Sequence, residues 1–237
     1  MSYSTAWDLS PQFPILRSHE CSASLRELIS WFCNFIVPGT NISGPHDLFG
    51  EMTEIFQALR LLSALMLKEK ASAEDQRIFA RGLYIVEYKL LVVLDQTDPR
   101  DDDIALDRNS HIYGSCRLAA YLYIYMILRE LPRTAEINYT LARRLRAVME
   151  RNKADLLVVW QDDLHMLFWI SFMGALATFG SKDGSYFVDN LKRSKSRLGL
   201  ESFDTFRDTL KQVLWTDDLC WHKGCIGLWT EIHGSQI

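Results

Sequence analysis

The chain has 237 residues, of which 48% are hydrophobic, so it is long enough to bury one large core, and its composition does not predict disorder. Its formal net charge of -4 argues against a chain that binds nucleic acid by itself, because such proteins need a basic surface to displace phosphate counterions. We therefore expect one globular unit, whose contact with DNA would depend on another segment or partner.

The N-terminus and the cysteines predict an intracellular protein. Residues 1–10 contain no basic run followed by an apolar stretch and no small-residue cleavage site, so they do not resemble a secretory signal peptide. The cysteines are odd in number and scattered, which is typical of reduced thiols in a cytosolic or nuclear protein. They are Cys21, Cys33, Cys116, Cys220 and Cys225. We expect most of them to pack as small hydrophobic side chains.

Helical spacing of apolar residues recurs along the chain, and sustained strand-like alternation does not. Residues 1–45 are expected to form an N-terminal extension, which ends in the turn-rich stretch 41–45. The first predicted helix follows, with apolar residues three and four positions apart at Met52, Ile55, Phe56, Leu59, Leu62 and Leu65. Ser72 and Asp75 resemble a capping box and predict a second helix that runs to about Asp95.

Residues 96–109 are predicted to form a flexible acidic loop. This stretch contains Pro99 and the cluster Asp101, Asp102 and Asp103, a combination that favours an exposed connection over a packed element. It separates the second predicted helix from a long apolar one.

Two stretches are apolar enough to predict helices that are buried on every side. Residues 118–128 read LAAYLYIYMIL, and Pro132 ends this helix shortly afterwards. Residues 156–179 predict the second buried helix. Its uncharged part, 164–181, is at the lower limit of the length that a membrane span needs, and it contains His165, Ser171 and Thr178. We therefore expect a core helix and no contact with a membrane.

Three further helices are predicted to be amphipathic. Thr134 can cap the first, which turns Leu141, Leu145 and Val148 inward and Arg143, Arg144 and Arg146 mostly outward. Gly180 and Gly184 bracket a turn, and one face of the next helix then carries Phe187, Leu191 and Leu198. Ser202 is placed to cap the last of the three, whose inward face holds Phe203, Phe206, Leu210 and Val213.

These elements together predict an all-α fold. We expect a single non-repetitive helical domain over residues 1–237, with about eight helices of ordinary length. The two strongly buried helices should lie at its centre. No repeat of fixed period occurs, so a solenoid has little support.

Four segments of the chain carry a resemblance to a known family. They read CRLAAYLYIYMILRELP over 116–132, LFWISFMGALAT over 167–178, YFVDNL over 186–191 and VLWTDDLCWHKGCIGLWTEI over 213–232. In their order and spacing they resemble the C-terminal part of the fungal-specific transcription-factor regulatory domain, which usually accompanies a binuclear zinc cluster. The resemblance implies a helical regulatory domain that receives effector signals and contacts dimer or coregulator partners, and it implies no catalytic residues and no cofactor.

The chain departs from that family in its cysteines. A binuclear zinc cluster needs six closely spaced cysteines with CxxC pairs, and this chain has no CxxC. Direct DNA recognition by this polypeptide is therefore not expected. A truncated gene product, an excised domain and a stand-alone relative that acts through partners all remain open.

One tight cluster of soft metal ligands is present. Cys220, His222 and Cys225 lie close together in sequence, and a zinc site would need a fourth ligand such as His233 or His165. The spacing does not match a known zinc finger, so packed cysteines and a surface histidine are the preferred interpretation. We predict no metal site.

The acidic loop invites an enzyme hypothesis. Asp102, Asp103 and Asp107 form a DDxxxD pattern, and helical terpene cyclases hold magnesium at a diphosphate with such aspartates. The second motif of that class would need an asparagine, a serine and a glutamate at steps of four. Asn190 and Ser194 match, but Leu198 occupies the last position. A solvated loop is therefore preferred, and a terpene cyclase-like enzyme with its site at 101–107 is the alternative.

The densest basic run offers a nuclear-import signal. It consists of Lys192, Arg193, Lys195 and Arg197, and its KRSK core fits a short import pattern. The competing interpretation is the solvated face of the helix whose other face holds Phe187 and Leu191.

Tryptophans in the second half of the chain could line a cavity for an apolar effector, because aromatic walls suit such sites. They are Trp160, Trp169, Trp215, Trp221 and Trp229. At helical spacing aromatic residues more often form core, and that interpretation stays open beside the effector pocket.

The resemblance implies a regulatory or interaction module of a fungal transcriptional regulator, located in the nucleus with shuttling to the cytoplasm. Its expected partners are regulator or transcription-machinery proteins, a second copy of the chain, and a small apolar effector. We expect no turnover and no direct contact with nucleic acid.

Overall fold

The computed structural model describes residues 50–97, 108–151, 155–215 and 223–234. Within these ranges the chain forms nine α-helices and no strand. The helices are α1 Gly50–Met66, α2 Ala73–Thr97, α3 Arg108–Tyr123, α4 Glu136–Arg151, α5 Leu156–Val159, α6 Leu164–Ala177, α7 Ser185–Leu198, α8 Phe203–Val213 and α9 Lys223–His233. One π-helical turn, Ile124–Leu128, continues α3, and one 3-10 turn, Lys182–Gly184, precedes α7. The predicted all-α class is confirmed.

The start of α2 is fixed by the predicted capping box. The amide of Asp75 donates to the Ser72 hydroxyl at 3.1 Å, and the Ser72 amide donates to the Asp75 carboxylate at 2.7 Å. Lys68 also donates to this carboxylate, at 2.9 Å. The hydrogen bond from Lys68, followed by those from the amide and hydroxyl of Ser72, lowers the pKa of Asp75 to about 2. The box therefore contains an ionised aspartate at neutral pH.

The first buried stretch has a more complex shape than its sequence predicts. Residues 118–128 are buried except for half-buried Tyr125, as expected, but the helix begins at Arg108 and changes to a π-helical turn at Ile124. The amide of Arg129 donates to the carbonyl oxygen of Ile124, five residues back, at 2.8 Å. Glu130 then takes a φ of 50°, a conformation that non-glycine residues rarely adopt. The chain leaves the core at this point.

The second buried stretch is two helices, so the prediction of one helix over 156–179 is wrong. Asp155 caps α5 by accepting from the Leu157 amide at 3.0 Å, and Asp163 caps α6 by accepting from the Met166 amide at 3.3 Å. Each aspartate offers the backbone an N-cap, so the chain turns between them. All residues of α6 from Met166 onward are buried.

Among the described residues no helix is long and apolar enough to cross a membrane.

Three predicted boundaries also shift. Gln96 and Thr97 belong to α2, and Arg108 and Asn109 belong to α3, so the predicted loop 96–109 is helical at both ends. The rest of it, 98–107, lies outside the described residues, as does the predicted extension 1–45. Thr134 is predicted to cap α4, but it lies two residues before the first helical residue, and Ala135 occupies the cap position. Shifts of this size are common where terminal turns tighten.

Helix α6 is the centre around which the others pack. It contacts α3, α4, α7, α8 and α9, while α1 packs on α2 and α3. Gly174 marks the closest approach of α6 and α7, since a Cβ there would lie within 3.0 Å of three atoms of the Phe187 ring. Helix α7 ends at Gly199, whose φ is 66°. Helix α8 begins at the predicted cap, where the Thr205 amide donates to the Ser202 hydroxyl at 3.1 Å.

Candidate functional site

A groove of about 390 Å³ opens between α2, α3 and α4. Helix α2 contributes Leu91, and the start of α4 contributes Ile137; these two side chains are 54% and 42% exposed. The remaining lining residues come from α3, its π-helical turn and α4: Arg117, Leu118, Tyr121, Tyr125, Leu141, Arg144, Ala147, Val148 and Arg151. The volume is in the range of small-molecule sites, roughly 300 to 1,000 Å³.

The lining of the groove is positively charged. Arg117 is only 6% exposed, whereas Arg144 and Arg151 lie at the exposed rim on α4. No carboxylate belongs to the lining among the described residues, and neither Arg144 nor Arg151 forms an ion pair with a described carboxylate. An anion in this groove would therefore meet two exposed guanidinium groups beside the buried Arg117, which already takes part in another interaction of the fold.

Two tyrosines form the aromatic part of the groove. The rings of Tyr121 and Tyr125 are stacked, with centroids 6.1 Å apart and planes 19° from parallel. Burial raises the pKa of both phenols above their ordinary values, and the nearby charge of Glu87 adds to this effect. Both are therefore protonated at neutral pH. The Tyr121 hydroxyl donates to the carbonyl oxygen of Glu87 at 3.4 Å.

The carboxylate nearest to these tyrosines is already neutralised. Arg129 donates to both oxygens of Glu87, from Nε at 2.9 Å and from a terminal nitrogen at 2.7 Å. This bidentate ion pair neutralises the charge of Glu87 beside the groove. The positive charge of the lining is therefore not offset by Glu87.

The π-helical turn positions the second tyrosine. Tyr125 is its second residue, and the Leu131 amide donates to the Tyr125 carbonyl oxygen at 2.9 Å, six residues away. Single π-helical turns inside α-helices frequently occur at functional sites. The groove therefore combines a positively charged lining with a π-helical turn in its wall.

A second cavity, of about 250 Å³, lies between α4 and the start of α7. Its charged residues pair with each other: Arg146 contacts Glu150 at 2.8 Å and Asp183 at 3.8 Å. The Tyr139 hydroxyl also donates to Asp183. Because its two acids and its arginines neutralise one another, this cavity offers a ligand less charge than the groove does.

The predicted aromatic effector pocket is packed core for three of its described members. Trp160, Trp169 and Trp215 are 3%, 0% and 6% exposed. Trp229 is half-buried, with its ring stacked on His233 at a centroid distance of 4.6 Å. None of these four residues lines the groove or the second cavity. Trp221 lies outside the described residues.

The predicted nuclear-import run lies on α7. Lys192, Arg193 and Arg197 are exposed, and Lys195 is half-buried. Arg193 donates to Asp155 at 2.6 Å, and the Lys195 ammonium lies 5.4 Å from the centre of the Trp229 ring. Two of the four cations are thus engaged by the fold, and import remains a prediction.

The predicted metal ligands are only partly described. Cys225 is buried, His165 is half-buried and His233 is exposed, whereas Cys220 and His222 lie outside the described residues. In the described ranges no three His, Cys, Asp or Glu side chains form a group that could hold a metal. Cys116 is also buried.

The enzyme alternative is likewise only partly described. Asp102, Asp103 and Asp107 lie outside the described residues. Asn190 and Ser194 are 6% and 0% exposed on α7, so both side chains face the interior. The catalytic alternative therefore remains a hypothesis about residues 101–107.

Sequence reasoning missed the groove, although signals for it were present. Tyr121 and Tyr125 are four residues apart in a helix, and Arg117 lies four residues before Tyr121 on the same face. The sequence analysis predicts only that Arg144 faces outward, and it makes no prediction for Arg151. The sequence does not show that α4 places those two arginines opposite the tyrosines.

The comparisons with known proteins add no relative. No protein-family model, no curated protein and no solved structure matches this chain.

Proposed function

We propose that this chain is a regulatory and interaction module of a fungal transcriptional regulator. In this proposal it acts in the nucleus, with shuttling to the cytoplasm, through contacts with regulator proteins or a second copy of itself. It also receives an effector, catalyses no reaction, and relies on another polypeptide or segment for contact with DNA.

The observation that supports this proposal best is that the second of the four family-like segments, in helix α6, contacts the other three. Trp169, in the second segment, donates from Nε1 to the carbonyl oxygen of Leu214, in the fourth, at 2.8 Å. Tyr123, in the first segment, lies 6.2 Å from the Trp169 ring, measured between centroids. Phe187, in the third, packs on Gly174. Segments far apart in sequence thus form one core, as a shared domain requires.

A second observation supports effector binding. The groove is built on the first of these segments, which supplies Arg117, Tyr121 and Tyr125. Helix α3 also packs directly on the central helix α6. A ligand in the groove would therefore contact α3, which lines the groove on one side and packs on the core helix α6 on the other.

The proposal is tested by a reporter assay in a fungal cell. The full chain is placed between a heterologous DNA-binding domain and an activation domain, and reporter output is compared with a fusion that carries an unrelated helical domain of similar size. We expect the chain to raise or lower the output at equal protein level. Equal outputs from the two fusions would contradict a regulatory function.

A further inference from the structure

We propose that the groove between α2, α3 and α4 binds a small organic anion with an apolar ring body, such as an aromatic carboxylate, and that this is the effector class of the module. The identity of the site as an effector site rests on the proposed function. The chemistry of the ligand rests on the groove alone.

The charge of the groove selects an anion. Arg117, Arg144 and Arg151 present three guanidinium groups, and no described carboxylate belongs to the lining. Arg117 is 6% exposed and already takes part in another interaction of the fold, so the exposed Arg144 and Arg151 supply the charge that remains open to a ligand. A guanidinium binds a planar carboxylate through two parallel hydrogen bonds, which favours a carboxylate over a simple halide.

The apolar part of the lining selects a ligand with a ring body. The stacked Tyr121 and Tyr125 rings and the side chains of Leu118 and Leu141 form its wall. Leu91 and Ile137 remain 54% and 42% exposed at its edge, so a bound apolar body would remove them from water. An inorganic anion without an apolar body would leave this apolar surface exposed to water.

The ligand is expected to be small. The groove of about 390 Å³ lies near the lower end of the range for small-molecule sites. Its open rim, with Arg144 and Arg151 on one side, leaves room for a one- or two-ring acid. Tyr125 lies in the π-helical turn on the other side of the groove, so the backbone of this turn fixes its position.

The test is a saturation-transfer NMR titration of the full chain with 2-naphthoate. The neutral isostere 2-naphthamide reports the contribution of the charge, and acetate reports that of the ring body. We expect 2-naphthoate to saturate with a Kd on the order of 1 mM or tighter, given the usual affinity per atom of small ligands. 2-Naphthamide should bind at least about tenfold more weakly, since losing a charged hydrogen bond typically costs a factor of that size. Acetate should also bind at least about tenfold more weakly, because it has no apolar body to bury and each buried CH₂ contributes about 0.8 kcal/mol.

Two variants locate the binding. The double variant Arg144→Gln/Arg151→Gln alters exposed side chains and should fold normally, and we expect it to weaken 2-naphthoate binding by about threefold to tenfold. The matched control is Arg143→Gln, because Arg143 is exposed on the same helix but lines the second cavity. Its Kd should equal that of the wild type.

Three results would overturn the proposal: no saturable binding, equal affinity for 2-naphthoate and 2-naphthamide, or an unchanged Kd in the Arg144→Gln/Arg151→Gln variant. The reporter assay above contains no added anion, so the two failures are distinguishable. A responsive reporter without binding overturns the groove assignment alone, and binding with an inert reporter overturns the regulatory function alone.

Discussion

The packing of α6 on α7 predicts that a single methyl group at Gly174 destabilises the protein. A Cβ at this position would lie within 3.0 Å of three atoms of the Phe187 ring, a separation that real Cβ contacts essentially never show. Phe187 is 1% exposed, and it also lines the second cavity, so a displaced ring has to repack the core or enter that cavity. Gly174→Ala must therefore shift either the ring or the two helices.

The magnitude follows from two opposing effects. Replacing a glycine by alanine inside a helix stabilises it by about 1 kcal/mol. Overpacking a well-filled core costs about 1 to 3 kcal/mol and sometimes more. Because three ring atoms overlap at once, we place the cost at or above the upper end and expect a net loss of about 2 kcal/mol for Gly174→Ala.

The assay is urea unfolding of the full chain followed by far-ultraviolet circular dichroism. Gly114→Ala is the matched control, because Gly114 is also helical and its added Cβ would meet one side-chain atom, Val148 Cγ1, at 3.3 Å. Its stability should stay within about 1 kcal/mol of the wild type. If Gly174→Ala is as stable as the wild type, the close approach of α6 and α7 is wrong.

A second variant tests the cause of the loss. Phe187→Leu removes the ring that an alanine at Gly174 would strike. We expect the Gly174→Ala/Phe187→Leu double variant to be more stable than the sum of the two single effects by about 1 kcal/mol or more, because the residues are in direct contact. Strict additivity would show that the clash is not with Phe187.

Three further predictions concern other contacts and are checked by the same unfolding assay. Trp169→Phe should cost about 2 kcal/mol, because it leaves the buried carbonyl oxygen of Leu214 without its donor, and an unchanged stability would contradict that bond. Glu54→Gln should cost about 3 kcal/mol, because it leaves the ammonium of Lys89, whose side chain is 5% exposed, without the carboxylate at 2.8 Å; Glu54→Gln/Lys89→Met should recover much of this loss. The pKa of Asp75 is lowered to about 2, so its stabilising contribution is present above about pH 4 and is lost as the pH falls toward 2. The Asp75→Asn variant should therefore have a clearly lower urea midpoint than the wild type at about pH 6. This difference should nearly vanish at about pH 2.

The parts of the fold that the sequence predicts well are those set by local chemistry. Ser202 begins α8 as predicted, because a side-chain cap is a property of a single residue. The same reasoning predicts Ser72 with Asp75 at the start of α2. Buried helices are predicted from apolar residues on every side, as at α6.

The features that sequence reasoning missed depend on competition or on tertiary placement. Two apolar runs joined by Asp163 read as one helix, because an aspartate also occurs inside helices and its role as a cap depends on the turn before it. The π-helical turn at Ile124 has no signal in an all-apolar run. The groove depends on which helix lies opposite Tyr121, and helical periodicity predicts a buried face without naming its neighbour.

The central claim, a regulatory module that acts at genes through partners, is tested most directly by chromatin crosslinking of the tagged full chain in the cell that encodes it. The account predicts enrichment at discrete promoter regions, and it predicts that this enrichment falls when the core is disrupted by Gly174→Ala. A crosslinking profile equal to that of a tagged protein without nuclear function would contradict it.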